Sequence, residues 1–152
     1  MNRTHLAALV LSAASMVGIA VHEGYRDRAY IPVAGDRPTL GFGDAQGVKL
    51  GDKTDPIRAL IRLNQQAETF QQEMRQCIGN VPLYQHEWDA YVSLTFNIGS
   101  GAFCRSTLVK LLQQQNYTAA CAQILRWDRF QGKPLAGLTK RRVDEYNKCI
   151  KA

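Results

Sequence analysis

The sequence lacks the short motifs by which many metal-dependent and nucleotide-dependent proteins are recognised. It has no Gly-rich phosphate loop, no H-E-x-x-H pair, and no C-x2-C or Cys/His spacing among its 4 cysteines, which argues against zinc and nucleotide sites. Internal repeats and low-complexity segments are absent as well. With 152 residues and a hydrophobic fraction of 45%, the chain is predicted to form one globular domain with no metal and no cofactor.

Acidic residues are scarce in the last third of the chain. Residues 105–152 hold 10 Lys and Arg against 3 Asp and Glu, whereas residues 1–104 hold 9 against 10. The net charge of +6 is therefore concentrated towards the C-terminus, where it could serve solubility alone or attract nucleic acid, an anionic membrane or an anionic wall polymer. No nucleic-acid motif accompanies it, so no nucleic-acid partner is predicted.

Asp, Glu, Lys and Arg are missing altogether from residues 4–21. This apolar segment has three interpretations: a weak membrane-spanning segment, a signal peptide cleaved after Ala20, or the buried first helix of the folded protein. Cleavage would remove the helix that should position the acid at residue 23. An uncleaved segment is therefore favoured.

The stretch from Glu23 to Gly43 gathers the groups from which an active site could be built. Glu23 follows the apolar run directly, so it is predicted to lie in the last turn of a buried helix that Gly24 caps. Burial at the negative end of a helix favours the neutral form of a carboxylic acid. Glu23 is thus expected to be a proton donor.

Residues 30–33 and 39–42 favour strands, and residues 34–37 between them carry the composition of a hairpin turn. Asp36 on this solvated turn is expected to stay ionised. A proton-donating acid and an ionised carboxylate are the pair that glycoside hydrolysis uses. Each residue alone also has an ordinary role in a helix end or a turn, and only their combination predicts catalysis.

The rest of the chain has the periodicity of helices. A long helix is predicted from Asp55-Pro56 to Gly79, and a second helix is predicted over residues 84–98. The single apolar stripe of the long helix consists of Ile57, Leu60, Leu63, Ala67, Phe70, Met74 and Ile78. Ser106, Thr118 and Thr139 are predicted to be the N-caps of three further helices, the first ending at Gln115 and the second at Trp127.

Several of these residues resemble one family. Glu23-Gly24, Tyr30 and residues 39–43 (T-L-G-F-G) look like the E-G…Y…T-(I/L)-G-(F/Y)-G signature of phage-type lysozymes, the endolysins related to the lysozyme of the T-even coliphages. The later pieces that resemble the second lobe of this family, in order and spacing, are Phe96-Asn97-Ile98-Gly99, Phe103, Ser106-Thr107-Leu108, Leu125-Arg126-Trp127, and Gly137-Leu138 with Arg141-Arg142. The resemblance covers nearly the whole chain.

The resemblance implies a mainly helical α+β fold of the lysozyme type. Residues 1–21 would form an apolar N-terminal helix, residues 22–53 a small β-hairpin lobe, residues 54–79 a connecting helix, and residues 80–152 a larger helical lobe. It further implies a monomer that holds a peptidoglycan strand between its lobes.

The implied activity is hydrolysis of the β-1,4 bond between N-acetylmuramic acid and N-acetylglucosamine, leading to lysis of the host cell. Glu23 would be the general acid, Asp36 the base or electrostatic partner, and Thr39 the residue that orients water. Phe96 and Thr107 would bind sugar. A lytic transglycosylase acting on the same bond and a non-catalytic wall-binding or membrane-lesion protein are the alternatives.

One departure affects the second carboxylate. The family pattern E-x8-(D or C)-x5-T would place this carboxylate at residue 32, where the chain has Pro32, and the interval from Glu23 to Thr39 is one residue longer than the pattern. We therefore infer an inserted residue, with Asp36 in the place of the family carboxylate. Asp27 is the other nearby acid and is expected to pair with a neighbouring arginine.

Some endolysins carry a signal-anchor-release segment, which leaves the membrane and refolds into the enzyme. The resemblance implies this role for the N-terminal segment, with transient association with the inner membrane and export to the host periplasm; the alternative is a cytoplasmic enzyme awaiting release. The 4 cysteines allow three disulfide pairings or four buried thiols. Cys121 and Cys149 lie on the last two predicted helices, so the pairs Cys121–Cys149 and Cys77–Cys104 are preferred.

Overall fold

The computed structural model describes residues 2–151, and most of them are helical. The described chain contains seven α-helices: α1 (Ala13–Glu23), α2 (Pro56–Ile78), α3 (Gln85–Ile98), α4 (Ser100–Cys104), α5 (Thr107–Gln113), α6 (Tyr117–Gln123) and α7 (Ala136–Cys149). Four short strands form two antiparallel pairs: β1 (Arg26–Tyr30) with β2 (Thr39–Gly41), and β3 (Arg129–Phe130) with β4 (Lys133–Pro134). The prediction of a mainly helical α+β fold is confirmed.

The chain divides into two compact units. The smaller unit, residues 16–68, contains most of α1, the β1–β2 hairpin and the first half of α2. The larger unit begins at Thr69 and includes the remaining helices, the β3–β4 pair and the N-terminal segment as far as Ser15.

The N-terminal segment is less helical than the sequence predicts. Only residues 6–8 form a 3-10 turn before α1 begins at Ala13. The backbone of this segment is bonded to the larger unit instead: Thr4 pairs with Leu83, and Arg75 donates to the carbonyls of Leu6 and Leu9. Backbone groups that are satisfied in this way do not need a helix, so within the described residues the predicted N-terminal α-helix over residues 1–21 does not extend before Ala13.

Helix α1 begins where a polar side chain can cap it. Ser12 Oγ accepts a hydrogen bond from Ser15 N at 3.2 Å and donates one to the Asp89 carboxylate at 2.6 Å. The helix ends at Glu23, as predicted, and Gly24 follows with φ +70° while its N–H donates to the Ala20 carbonyl at 3.0 Å. A left-handed residue after the last turn is the usual helix end, and glycine adopts it without strain.

The β1–β2 hairpin is present, but its first strand lies earlier than predicted. Strand β1 ends at Tyr30, which pairs with Thr39, and residues 31–33 are not in a strand. The turn between the strands is closed by a hydrogen bond of 2.9 Å from Asp36 N to the Val33 carbonyl, with Gly35 at φ +87°. Pro32 has no N–H to donate, which explains why the strand cannot continue through it.

Helix α2 begins and ends as predicted. Asp55 caps its start by accepting hydrogen bonds of 3.0 Å from Ile57 N and Arg58 N, and Gly79 follows its last residue. Of the predicted apolar stripe, Ile57 and Leu60 are exposed. The members that are buried are Leu63, Ala67, Met74 and Ile78.

The core of the larger unit is built around α3. The largest fully buried side chains of this unit include Trp88, Tyr91, Phe103, Leu108 and Arg142. Arg142 forms a buried ion pair of 2.8 Å with Glu145, whose other oxygen accepts a hydrogen bond from Ser93. Burial raises the pKa of Glu145, and its hydrogen bond to Ser93 and the two neighbouring arginine charges oppose this rise.

Two of the three predicted N-caps in this unit are wrong. Ser106 does cap α5, but α6 is capped by Asn116, whose Oδ1 accepts from Ala119 N at 3.3 Å, and not by Thr118. Helix α7 begins at Ala136, so Thr139 lies in its first turn and donates to the Asp128 carboxylate. The β3–β4 pair was not predicted, because its two-residue strands are too short for a periodic pattern.

Both preferred disulfides are confirmed. Cys77 is bonded to Cys104, and Cys121 is bonded to Cys149. The first bond joins the end of α2 to the end of α4, and the second joins α6 to the end of α7. Within the larger unit the disulfides therefore close two loops that do not overlap along the chain.

Candidate active site

Glu23 is the last residue of α1 and is half-buried. Its carboxylate lies beside Gly43: a Cβ atom built on Gly43 would be 3.1 Å from Glu23 Oε2 and 3.8 Å from Glu23 Cβ. The carboxyl group is thus held between the negative end of a helix and the backbone of a turn.

The turn that meets Glu23 is a tight one between Leu40 and Asp44. These two residues exchange both backbone hydrogen bonds, at 2.8 and 3.0 Å. Gly41 and Gly43 between them have φ of +62° and +79°, a conformation that favours glycine. Two of the glycines in the family signature are therefore explained by the backbone of this turn.

The other two predicted catalytic residues lie on the same hairpin in different environments. Asp36 is exposed on the turn after β1, and its carboxylate accepts a hydrogen bond from Arg37 N at 2.9 Å. Thr39 is buried at the start of β2, and its hydroxyl donates to the Arg37 carbonyl at 3.3 Å. The smaller unit thus contains Glu23, Asp36 and Thr39 together.

The predicted sugar-binding residues belong to the larger unit. Phe96 is half-buried near the end of α3, with its ring edge-on to Phe70 at 5.0 Å between ring centroids. Thr107 is exposed as the first residue of α5. Trp127 is half-buried, and its backbone carbonyl accepts a hydrogen bond from the buried Arg142.

Sequence reasoning misassigned one acid of the hairpin and overlooked another. Asp27 is exposed on β1 and makes no ion pair within residues 2–151, so the predicted pairing with Arg26 or Arg28 is wrong. Asp44, for which no role was predicted, is buried and forms an ion pair with Arg62 on α2. No signal in the sequence around Asp44 indicates this partner on α2.

The described residues contain neither a metal-binding cluster nor a membrane-spanning helix. No group of three or more His, Cys, Asp or Glu side chains within residues 2–151 is arranged to hold a metal ion. None of the helices in that range is both long enough and apolar enough to span a bilayer.

Comparison with known proteins agrees with the site. The family model described as phage lysozyme matches residues 20–145. An endolysin of Acyrthosiphon pisum secondary endosymbiont phage 1 is 38% identical over 146 residues, which cover 89% of this chain and 94% of that protein. A protein named SAR-endolysin from Pseudomonas phage phiKMV is 30% identical over 142 residues, covering 91% and 87% of the two chains.

A solved structure agrees as well. The endolysin from Escherichia coli O157:H7 phage FAHEc1 superposes with a TM-score of 0.81 and 30% identity, covering 95% of each chain. The match with the family model extends from the last turn of α1 into α7 and includes the whole of the β1–β2 hairpin. This chain therefore belongs to the phage lysozyme family and is a peptidoglycan-lysing enzyme of the muramidase type.

Proposed function

We propose that this enzyme hydrolyses the β-1,4 bond between N-acetylmuramic acid and N-acetylglucosamine in peptidoglycan, with Glu23 as the general acid. The observation that carries the proposal is the placement of Glu23: a half-buried carboxyl group at the negative end of α1, against the Gly43 backbone. From this position Glu23 would act as the general acid that protonates the leaving oxygen of the glycosidic bond.

Hydrolysis needs a second group that activates water or stabilises the positive charge of the transition state. Asp36 is proposed for this role, because it is exposed to solvent on the same unit as Glu23. Thr39 is proposed to orient the attacking water. Phe96 and Thr107 are proposed to bind the glycan strand, and the enzyme is proposed to act as a monomer.

The experiment is the rate at which purified peptidoglycan suspensions clear. Glu23→Gln should abolish clearing while leaving the circular dichroism spectrum unchanged, because the amide has the same shape but cannot donate the proton. Glu68→Gln, the same substitution at an exposed site on α2, is the matched control and should clear normally. A folded Glu23→Gln variant that still clears peptidoglycan would contradict the proposal.

The second carboxylate is tested separately. Asp36→Asn should lower the rate strongly, whereas Asp27→Asn, at the exposed acid on β1, should leave it near normal. The reverse result would assign the role to Asp27 and refute the inserted-residue argument.

A lytic transglycosylase is the second candidate, and the position of Asp36 favours it. The Asp36 carboxylate accepts a hydrogen bond within its own turn from Arg37 N, and a transglycosylase can work with one acidic residue. It closes a 1,6-anhydro ring on muramic acid, whereas hydrolysis leaves a reducing end. Mass spectrometry of the released muropeptides separates the two reactions, since only the anhydro product is lighter by one water.

We further propose that residues 1–21 act as a signal anchor from which the enzyme is released into the host periplasm. Similarity to a SAR-endolysin supports this role. So does the exposure of apolar side chains on α1, where Val17 is 63% and Val21 is 75% exposed. Apolar residues exposed in the folded enzyme are expected where a segment also has to reside in a membrane.

Release is tested by cell fractionation. Ala14→Leu makes the segment more hydrophobic at a position that is exposed in the folded enzyme, so it should shift protein from the soluble periplasm to the inner membrane without unfolding it. Ala14→Ser is the matched control and should not increase the membrane fraction. If neither form is ever found in the membrane or periplasm, the enzyme is cytoplasmic until release.

A further inference from the structure

We infer that Asp44, held by Arg62, is a positioning residue for Glu23. This inference rests on the proposed role of Glu23 as general acid. It assigns to Asp44 the task of fixing the turn that places Gly43 against the Glu23 carboxylate.

Asp44 is attached to α2 by its side chain. The carboxylate forms an ion pair with Arg62 Nε and accepts hydrogen bonds from Gln66 Nε2 at 3.4 Å and from Gln46 N at 3.0 Å. Arg62 also donates to the Gln46 carbonyl at 2.9 Å. The Asp44 side chain is only 11% exposed to solvent. Its carboxylate is therefore stabilised by these protein partners more than by water.

The backbone of Asp44 closes the turn. Its N–H and carbonyl both pair with Leu40, and the three residues between them complete the loop. Gly41 packs closely against α2, because a Cβ built on it would be only 3.0 Å from Ala59 Cβ. The turn therefore has two attachments to α2: close packing at Gly41 and the ion pair at Asp44.

Gly43 is the residue next to Asp44, and it forms one wall of the space that the Glu23 carboxylate occupies. A Cβ built on Gly43 would be 3.1 Å from Glu23 Oε2. A small movement of the Gly43 backbone towards Glu23 would therefore displace the carboxyl group. Loss of the Asp44 attachment would let the turn shift and change the position of the proton donor. A displacement on the order of 1 Å can reduce catalysis about 100-fold.

The test compares kcat and KM on soluble glycan strands. Asp44→Asn keeps an acceptor for Gln46 N but loses the charge that holds Arg62, so kcat should fall tenfold or more while KM changes less than threefold. Arg62→Met should behave alike. Arg62→Lys retains the charge and should recover most of the lost kcat, which general weakening of the fold would not produce.

Asp55→Ala is the matched control for stability. It removes the cap of the same helix, two hydrogen bonds of 3.0 Å to Ile57 N and Arg58 N, but touches no part of the turn. At a temperature where both variants remain folded, Asp55→Ala should keep normal kcat. If the Asp44→Asn and Asp55→Ala variants lose kcat in equal proportion to their loss of thermal stability, Asp44 is only structural and the inference is refuted.

A double-mutant comparison tests whether Asp44 acts through Gly43. Gly43→Ala should itself lower kcat, because the added methyl group meets the Glu23 carboxylate and φ +79° strains an L-residue. If both changes act by moving the Gly43 backbone against Glu23, the kcat of the double variant should fall by much less than the product of the two separate fold-losses. Independent, multiplicative losses would contradict the inference. An active Glu23→Gln variant would overturn the proposed function itself, whereas normal kcat for Asp44→Asn overturns only the role of Asp44.

Discussion

Removal of the two disulfides should lower the free energy of unfolding by an amount that depends on the length of the loop each bond closes. Cys77 and Cys104 are separated by 27 residues, and Cys121 and Cys149 by 28. Loop-closure entropy for loops of this length corresponds to about 3.5 kcal/mol for each bond. Because the two loops do not overlap, the losses should add to about 7 kcal/mol, which is a large part of the 5–15 kcal/mol typical of a domain.

The two bonds should not be equivalent when they are replaced by alanine. Cys121 and Cys149 are each 2% exposed, so their replacement adds lost packing to the lost cross-link, whereas Cys77 and Cys104 are half-buried. The Cys121→Ala/Cys149→Ala variant should therefore lose more stability than the Cys77→Ala/Cys104→Ala variant.

Urea unfolding measures this loss, with tryptophan fluorescence as the reporter, because Trp88 is fully buried in the larger unit and becomes exposed on unfolding. The oxidised enzyme, the enzyme with dithiothreitol and the two double variants are compared at one pH. Reduction should lower the midpoint at least as far as either double variant does. An unchanged midpoint after verified reduction would refute the reasoning from loop closure.

Three further changes test the larger unit. Arg142→Ala leaves the buried Glu145 carboxylate without its closest cation and should cost about 3–5 kcal/mol, whereas the paired change Arg142→Met with Glu145→Gln should cost less, both measured by urea unfolding. Burial raises the pKa of Glu145 above its ordinary value of 4.5, so the folded chain holds this proton more firmly than the unfolded chain; the free energy of unfolding should fall as pH rises through the interval just above that value, and Glu145→Gln should flatten this dependence. Asn116→Ala should cost about 1 kcal/mol because it removes the cap of α6, and Thr118→Ala almost nothing; equal thermal shifts would reverse the cap assignment.

The site could be predicted from the sequence where local rules decide the structure. The end of α1 at Glu23 follows from an apolar run and a glycine, and the start of α2 follows from Asp55 before Pro56. These features depend on backbone conformation and on neighbours in sequence. The same is true of the turn at Gly35, which the residue types around it predict directly.

Prediction failed where distant groups decide the structure. Residues 6–11 look helical by composition, but Arg75 and Gln71 bond their backbone in a non-helical conformation. Asp44 looks like an ordinary loop residue until α2 supplies Arg62. No local sequence pattern indicates an ion-pair partner 18 residues away. The attachment of the turn to α2 could therefore be recognised only in the folded chain.

The central claim is that Glu23 donates the proton that breaks the glycosidic bond. The most direct test is the initial rate of peptidoglycan clearing by folded Glu23→Gln beside Glu68→Gln. We predict no clearing above the enzyme-free rate for the first and the wild-type rate for the second. Clearing by Glu23→Gln at a rate near that of the wild type would contradict the account.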